Sequence, residues 1–268
     1  MRKILRYALL VLVVFAAQCD HIEYNLYDTN VHGDCNINAH HIAQIEARCR
    51  HKSTIRFVMI SDTHRQYDDT HDAVRCINAL HDIDFVIHGG DLSDFGTKQE
   101  MVWLRDILSQ LSVPYVCVLG NHDCLGTGDR LFQKIFGDPD FAFTAGHTRF
   151  VCLNTNAIEY NYADHIPNFQ FMAHEAQRAT NMVEHTVFAM HVRPFEYAFN
   201  NRNVDRFREA ISAFPDPLFC IFGHDHRWQA EDLYHDGLMW YCCPNIEKRI
   251  YLIFTIENGD YSYEKIAY

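Results

Sequence analysis

Five short stretches of this sequence end an apolar run with side chains that can bind metal ions or carry protons. One of them, GNHD at residues 120–123, places an amide, an imidazole and a carboxylate directly after the apolar run 116–119. The other four are SDTH at 61–64, GGD at 89–91, the lone His191 after TVFAM, and GHDH at 223–226. Polar groups at the end of a buried strand need partners, because burying them unpaired is costly. Turn capping explains one such stretch, but five together indicate a shared binding site.

The elements that must position these stretches can be read from the hydrophobic pattern. Short apolar segments (TIRFVMIS, DFVIHGG and PYVCVLG) alternate with amphipathic ones (DAVRCINALH and KQEMVWLRDILSQL). This alternation predicts parallel strands joined by helices, in a sheet buried on both faces. The later apolar segments RFVCLNT, HTVFAMH, LFCIFGH, LMWYCC and RIYLIFTI predict more strands, with helices near 171–182 and 204–214. We therefore predict an α/β fold, a four-layer α/β/β/α sandwich of two mixed sheets with flanking helices.

In open α/β sheets, ligands bind at the carboxyl ends of the strands, so we expect the five stretches to meet there. A set of Asp, Asn and His side chains suits a pair of divalent Mn, Fe or Zn ions better than Ca²⁺ or a thiolate site. A carboxylate can bridge two such ions, which lie about 3.5–4 Å apart in two-metal sites.

The five stretches resemble the signature of the calcineurin-like metallophosphoesterase superfamily, which runs D-x-H, G-D, G-N-H-[DE], H and G-H-x-H. All five blocks occur in order, and the resemblance covers residues 55 to about 250. It implies that Asp62, His64 and His226 bind one metal ion. It further implies that Asn121, His191 and His224 bind the other, with Asp91 as the bridge. His174 and His185 are rivals for His191, but only His191 directly follows an apolar strand.

The resemblance also implies the catalytic roles. His122 hydrogen-bonds the scissile phosphate or protonates the leaving oxygen, and Asp123 orients the His122 imidazole. A hydroxide bridging the two metals attacks phosphorus without a covalent enzyme intermediate. Asp94 is expected to cap a helix rather than to support the site. Arg65, Arg193 and Arg227 lie within two residues of predicted ligands and fit either phosphate or surface salt bridges.

The expected activity is hydrolysis of phosphate esters, with phosphodiesters favoured over phosphomonoesters. The alternatives are a non-catalytic metal-containing binding module on the same fold, a nuclease, and a lipid-headgroup hydrolase. The 268 residues carry 23 Lys+Arg against 35 Asp+Glu and no basic tract. This balance argues against stable nucleic-acid binding by broad phosphate neutralisation. A small phosphate-ester substrate remains compatible with it, because the metal ions supply local positive charge.

The N-terminus predicts export. Arg2, Lys3 and Arg6 precede the apolar run 8–17, which is too short to span a membrane, and Cys19 follows. The segment resembles a bacterial lipoprotein signal, so we predict a signal peptide at 1–18, a lipidated Cys19 and a location in the periplasm or cell envelope. Cleavage near Ala17 with simple secretion is the alternative. Residues 19–52 are predicted as an extension with a helix at 37–48, and residues 53–268 as the metallophosphoesterase domain.

The nine cysteines after Cys19 leave disulfides possible in an oxidising compartment. Cys117, Cys152 and Cys220 lie inside apolar runs and are predicted to be core residues. The candidate disulfides are one between Cys35 and Cys49 and one between another cysteine and either Cys242 or Cys243.

Overall fold

A computed structural model describes residue 25, residues 27–179 and residues 183–268 of the chain. The predicted signal peptide, Cys19 and the last residues of the helix predicted at 171–182 lie outside the described residues. Among the residues that the structure describes, no helix is both long and apolar enough to cross a membrane.

The first of two sheets has five strands. They are β1 (Thr54–Ile60), β2 (Phe85–His88), β3 (Tyr115–Cys117), β10 (Ile250–Glu257) and β11 (Asp260–Ala267). Their order across the sheet is β11-β10-β1-β2-β3. The pairs β1–β2 and β2–β3 are parallel, as predicted, whereas β10 is antiparallel to both of its neighbours.

The second sheet has six strands. They are β4 (Phe141–Ala145), β5 (Thr148–Leu153), β6 (His185–Met190), β7 (Pro217–Phe222), β8 (Gln229–Glu231) and β9 (Met239–Cys242). Their order is β4-β5-β6-β7-β9-β8, with the central strands β5, β6, β7 and β9 parallel to one another. The outer strands β4 and β8 are antiparallel to their neighbours. Both sheets are therefore mixed.

Alternate residues of each strand face opposite layers, because successive side chains of a strand point to opposite faces. In β1, Phe57 and Met59 pack between the two sheets, whereas Val58 and Ile60 pack under helices. Phe150 of β5 meets Phe57 and Phe85 edge-on, with ring centres 5.3 Å apart in each pair. Such contacts across the two inner faces form the central core of the sandwich.

Helices cover both outer faces. On the first sheet they are α2 (Tyr67–Asn78), α3 (Lys98–Leu108) and α4 (Gly128–Ile135). On the second sheet they are α5 (Phe169–Ala179) and α6 (Val204–Ser212). The four-layer α/β/β/α sandwich predicted from the sequence is confirmed.

A helix from the N-terminal extension, α1 (Ile37–Cys49), packs beside β3 and β4. Strand β3 is an edge strand of its sheet. The Asn38 amide donates to the Cys117 carbonyl and accepts from the Cys117 N–H, both at 2.9 Å. The side chain thus replaces a neighbouring strand, which satisfies the edge and blocks pairing with another chain.

The nine cysteines that the structure describes are all free. Cys35 and Cys49 are not paired, and neither Cys242 nor Cys243 has a disulfide partner among them. Cys117, Cys152 and Cys220 are fully buried, as predicted.

Candidate dinuclear metal centre

The five stretches identified in the sequence converge at one edge of the sandwich. Three of them follow β1, β2 and β3 of the first sheet, and two follow β6 and β7 of the second sheet. Because the strands that carry them are parallel within each sheet, their carboxyl ends lie at the same edge. The structure brings together the seven side chains predicted as ligands.

One group of donors contains Asp62, His64, Asp91 and His226, whose ligand atoms all lie within 4.8 Å of one another. His226 Nε2 is 3.2 Å from Asp62 Oδ1 and 3.4 Å from His64 Nε2. His64 Nε2 is in turn 3.7 Å from Asp91 Oδ2. Two carboxylates and two imidazoles thus surround one point.

A second group contains Asp91, His191 and His224, again within 4.8 Å. Asn121 joins it, because its Oδ1 lies 2.9 Å from His224 Nδ1 and 3.1 Å from His191 Nε2. Asp91 Oδ2 is 3.2 Å from His191 Nε2 and so belongs to both groups. The division into two groups that share Asp91 is the arrangement that the resemblance implied, although the ligand roles themselves stay predictions.

His191 is held in one tautomer. Its Nδ1 lies 2.8 Å from the Gly89 carbonyl, which can only accept, so Nδ1 carries the proton. The other ring nitrogen, Nε2, is then free to bind a cation. The rival His185 instead pairs with Asp216 at 2.7 Å, and the exposed His174 lies beside Glu175, so neither reaches the site.

The backbone at the site is strained. Asp62, His64, Asp91, His224 and His226 have φ angles of 52°, 45°, 56°, 68° and 54°, in the left-handed region. That conformation costs about 1–2 kcal/mol for a residue with a side chain, less for Asp and His than for most. Such strain persists where the surrounding fold enforces it, and it clusters at functional sites. Five of the seven predicted ligands share it, which is independent support for a binding site.

Two glycines let the loops approach closely enough. A Cβ at Gly120 would lie 2.0 Å from the Asp91 backbone nitrogen and 2.2 Å from Asp91 Oδ1. A Cβ at Gly223 would lie 2.2 Å from Ser61 Oγ and 2.7 Å from Asp62 Oδ2. Any side chain at these positions would push the buried carboxylates away, which explains why glycine precedes the donors.

The electrostatics of the site favour a bound cation. Asp62 and Asp91 are buried, and burial alone raises the pKa of Asp91. The positive charge and hydrogen bond of His191 outweigh burial, so the Asp91 pKa is lowered. Burial lowers the pKa of His191, but the neighbouring Asp91 carboxylate outweighs it and raises that pKa to about 9. Asp91 and His191 thus stabilise each other's charged form, as adjacent opposite charges do.

The donor set therefore fits two divalent ions. Carboxylate, amide and imidazole donors surround two adjacent points, and buried carboxylates need compensating positive charge. The donors suit Mn, Fe or Zn.

His122 lies beside the first group but outside it. Its ring centre is 4.7 Å from that of His64, and its Nδ1 is 2.8 Å from the Asp94 carbonyl. Because a carbonyl only accepts, Nδ1 donates, and Nε2 is the nitrogen available to a substrate. The position is compatible with the predicted role of His122 as proton donor.

The prediction that Asp123 orients His122 is wrong. Asp123 is fully buried and accepts from the backbone N–H groups of Leu92, Ser93 and Gly120 at 3.1, 2.8 and 3.0 Å. It also accepts from the Ser93 hydroxyl at 2.8 Å. The carboxylate therefore ties the loop that carries Asp91 to the loop that carries Asn121. A residue one position after His122 faces away from it in this tight turn, which the sequence does not reveal.

Asp94, rather than Asp123, contacts His122. Beyond its carbonyl contact to His122, its carboxylate lies 3.6 Å from His122 Nδ1 and 3.7 Å from His64 Nδ1. The expectation that it caps a helix is wrong, because Thr97 and Glu100 form the capping box of α3. The spacing of Asp94, three residues after Asp91, is the signal that could have identified it.

A further residue that sequence reasoning missed is His88, at the end of β2. It is fully buried, and burial lowers its pKa to about 3, so the ring is neutral. Its Nδ1 accepts from the Gly90 N–H at 3.2 Å, and its Nε2 then donates to Thr63 Oγ1 at 3.0 Å. His88 thereby joins the loop of Asp91 to the loop between Asp62 and His64. A histidine inside an apolar strand was the available signal.

The three arginines near the site already have protein partners. Arg193 Nε donates to Asp225 at 2.9 Å, Arg227 Nε donates to Gln229 at 3.1 Å, and Arg65 Nε lies 3.0 Å from Asp94. Arg193 and Asp225 link two of the loops that carry predicted ligands, which favours a structural role for Arg193.

Comparisons with known proteins agree with this geometry. A model of the calcineurin-like phosphoesterase family matches residues 55–228, well over half of the chain. A 3',5'-cyclic-nucleotide phosphodiesterase from Nostoc sp. is 25% identical over 156 residues, covering 54% of this chain and 57% of that protein. The chain thus matches little more than half the length of this relative.

Solved structures extend the likeness at the level of the fold. A dimetal phosphatase from Danio rerio has a TM-score of 0.61 at 13% identity, covering 80% of this chain and 99% of its own. GAP50, described as the anchor in the inner membrane complex of Plasmodium, has a TM-score of 0.58 at 12% identity, covering 81% and 85%. From the family match and the arrangement of the site together, this chain belongs to the calcineurin-like phosphoesterases, a family of metal-dependent phosphoester hydrolases.

Proposed function

We propose that this protein hydrolyses phosphodiesters at a dinuclear metal centre, by attack of water on phosphorus. The observation that carries the proposal is the pair of donor groups that share Asp91. Bound divalent ions would hold the phosphate oxygens and lower the pKa of the attacking water. The ligands would be Asp62, His64, Asp91 and His226 for one ion, and Asp91, Asn121, His191 and His224 for the other.

The chain's own residues contribute positioning and proton transfer. His122, anchored at Nδ1 by the Asp94 carbonyl, offers Nε2 to the substrate. In its doubly protonated form it donates the Nε2 proton to the leaving oxygen, a contribution of about 10²–10⁴-fold. Asp123 and His88 hold the loops of the ligands in register and do not touch the substrate. No side chain needs to form a covalent bond to phosphorus.

The preference for diesters draws on the relative from Nostoc sp., which is a cyclic-nucleotide phosphodiesterase. Hydrolysis of phosphomonoesters at the same centre is the alternative, because both ester classes present the same phosphate oxygens to the ions. GAP50 has a similar fold but is described as an anchor, so the fold alone does not establish catalysis. A binding module is therefore an outcome that the experiment must distinguish.

The test is hydrolysis of bis-p-nitrophenyl phosphate and p-nitrophenyl phosphate by protein reconstituted with Mn, Fe or Zn, with metal content measured in parallel. We expect His122→Ala to lower kcat by about 10²–10⁴-fold while metal stays bound. We expect Asp91→Asn to lower metal content as well as activity, and EDTA to abolish activity. His185→Ala, a histidine outside the site, is the matched control and should behave like the unaltered protein.

Two results would overturn the proposal. Absence of turnover with every metal would favour the binding module. Faster hydrolysis of the monoester than of the diester would favour a phosphomonoesterase.

We also propose that the protein is exported and anchored to the bacterial cell envelope through a lipidated Cys19. The support is the basic start, the apolar run 8–17 and the position of the cysteine after it. Membrane fractionation of the protein and of Cys19→Ala in a bacterial host tests this. The native chain should sediment with membranes and the variant should not. Equal distribution of the two proteins would refute the anchor.

A further inference from the structure

A cleft beside the metal centre is lined by aromatic rings that the proposed reaction does not use. It lies between the start of α3, the loop 125–127 and the N-terminal extension, and its volume is about 610 Å³. We call it the Phe95 cleft, and its walls include Tyr27, Arg65, Phe95, Trp103, Leu125 and Thr127. Tyr27, Phe95 and Trp103 are 67%, 55% and 50% exposed. Single exposed rings are common, but three around one cleft mark a binding surface.

The Phe95 cleft adjoins the proton donor on two sides. On one side, the Arg65 guanidinium lies 5.0 Å above the Phe95 ring centre, and Arg65 Nε is 3.0 Å from Asp94 Oδ2. Asp94 is also the residue whose carbonyl anchors His122. On the other side, the Leu125 N–H donates to the His122 carbonyl at 3.3 Å. Both contacts place the cleft next to the loops that carry Asp94 and His122.

One wall of the cleft comes from Tyr27 of the N-terminal extension. Tyr27 belongs to a segment that Lys98 of α3 holds through an ion pair to Asp28. Lys134 of α4 holds the same segment through a 3.0 Å hydrogen bond to the Thr29 carbonyl. The extension, to which the sequence assigned no function, therefore shapes a surface next to the active site.

The chemistry of the walls selects the occupant. Arg65 and Glu100 are the charged residues lining the cleft, and Glu100 is buried and engaged in the capping box of α3. Recognition therefore depends on ring faces and on the stacked guanidinium, which favour a planar aromatic group. The cleft volume falls in the range of small-molecule sites, about 300–1,000 Å³.

We propose that the Phe95 cleft binds the leaving alcohol of the substrate, and that this alcohol carries a planar aromatic ring, such as an aryl group or a nucleobase. The inference rests on the proposed function, because His122 donates its proton to the leaving oxygen. The leaving group must then depart on the side of His122, and the cleft borders the loops of His122 and Asp94 through Leu125 and Arg65. Phe95 and Trp103 become the residues that determine substrate specificity.

The kinetic test compares two diesters of methyl phosphate, one with a p-nitrophenyl and one with a trifluoroethyl leaving group. For each diester, we divide kcat/KM of the variant by kcat/KM of the unaltered protein. This ratio cancels the intrinsic reactivity of the leaving group. Phe95→Ala and Trp103→Ala should lower kcat/KM for the aryl diester about tenfold, equivalent to about 1.4 kcal/mol, chiefly through KM. For the trifluoroethyl diester, kcat/KM should change less than about twofold. Tyr263→Ala, which removes an exposed ring outside the cleft, is the control.

A binding test without turnover separates this inference from the proposed function. Adenosine should quench tryptophan fluorescence saturably. The quench should disappear in Trp103→Phe, persist in Trp228→Phe and weaken in Phe95→Ala, and ribose should have no effect. If the unaltered protein hydrolyses neither diester, the proposed function fails. The adenosine titration still tests whether the Phe95 cleft binds a planar aromatic group.

Three results would overturn the inference. They are equal losses for both diesters, adenosine binding that Phe95→Ala and Trp103→Phe leave unchanged, and binding of octanol in place of adenosine. The last of these would identify an apolar chain as the occupant.

Discussion

Replacement of His88 offers a sharp test of how the metal site is held together. His88→Leu keeps a side chain of similar bulk but removes the acceptor for the Gly90 N–H and the donor to Thr63. A buried N–H left unpaired costs about 1–3 kcal/mol, and the lost hydrogen bond to Thr63 adds about 1 kcal/mol. The free energy of unfolding at pH 8 should therefore fall by about 2–4 kcal/mol.

A second signature comes from the titration of the ring. Burial lowers the pKa of His88 in the folded protein from 6.5 to about 3. Because the folded pKa is depressed, the unfolded chain binds a proton that the folded protein excludes as the pH falls below 6.5. The unaltered protein should thus lose about 2 kcal/mol between pH 8 and pH 5 through His88 alone. His88→Leu lacks this loss, so its deficit should shrink by about that amount at pH 5.

The assay is urea unfolding of metal-free protein at both pH values, followed by metal titration at pH 8. Metal affinity of His88→Leu should fall by about 10–100-fold, because the loops of Asp62 and Asp91 lose their common support. His88→Asn, whose amide oxygen can replace Nδ1 as acceptor for Gly90, should recover part of the stability. The exposed His81, replaced by Leu, is the control. A deficit of the same size at pH 8 and pH 5, or no deficit at pH 8, would refute this account.

Two further predictions concern contacts that join distant parts of the chain. Asp123→Asn turns one acceptor of the buried carboxylate into a donor that faces backbone N–H groups, so metal affinity should fall by about 10–100-fold. A loss of kcat with full metal content would instead restore the role in orienting His122. Asn38→Ala removes two hydrogen bonds to Cys117 and should lower the free energy of unfolding by about 2 kcal/mol without changing kcat/KM. Metal titration measures the effect of Asp123→Asn. For Asn38→Ala, urea unfolding measures the stability and diester hydrolysis measures kcat/KM. An unchanged unfolding midpoint would contradict the prediction for Asn38→Ala.

The parts of the fold that the sequence predicts well are those with a local signal. Strands β1, β2 and β3 are largely apolar because both of their faces are mostly buried, and α3 has apolar residues at helical spacing. By contrast, β11 was not predicted, because most of its residues are exposed and its position depends on pairing with β10. Strand β8 was likewise not predicted, because it has only three residues, Gln229–Glu231, and none of them is buried.

The site residues show the same contrast between features that are encoded locally and features that are not. The seven predicted ligands follow five strands, in stretches of at most four residues, so their identity is encoded in a few adjacent residues. The partner of Asp123 is not encoded locally, since the tight turn at 122–124 directs its carboxylate to Leu92, Ser93 and Gly120. Neighbours in sequence therefore proved to be a poor guide to neighbours in space.

The sequence by itself determined the sandwich and the five donor stretches, because alternating apolar segments dictate buried strands and five of these strands are followed by donor residues. Only the tertiary structure decided which groups contact His122 and Asp123, and that the extension forms a wall beside the active site. These features depend on the packing of loops from different strands, where distances of about 3 Å between residues far apart in the chain select the contacts. Patterns of local hydrophobicity contain no information about those distances.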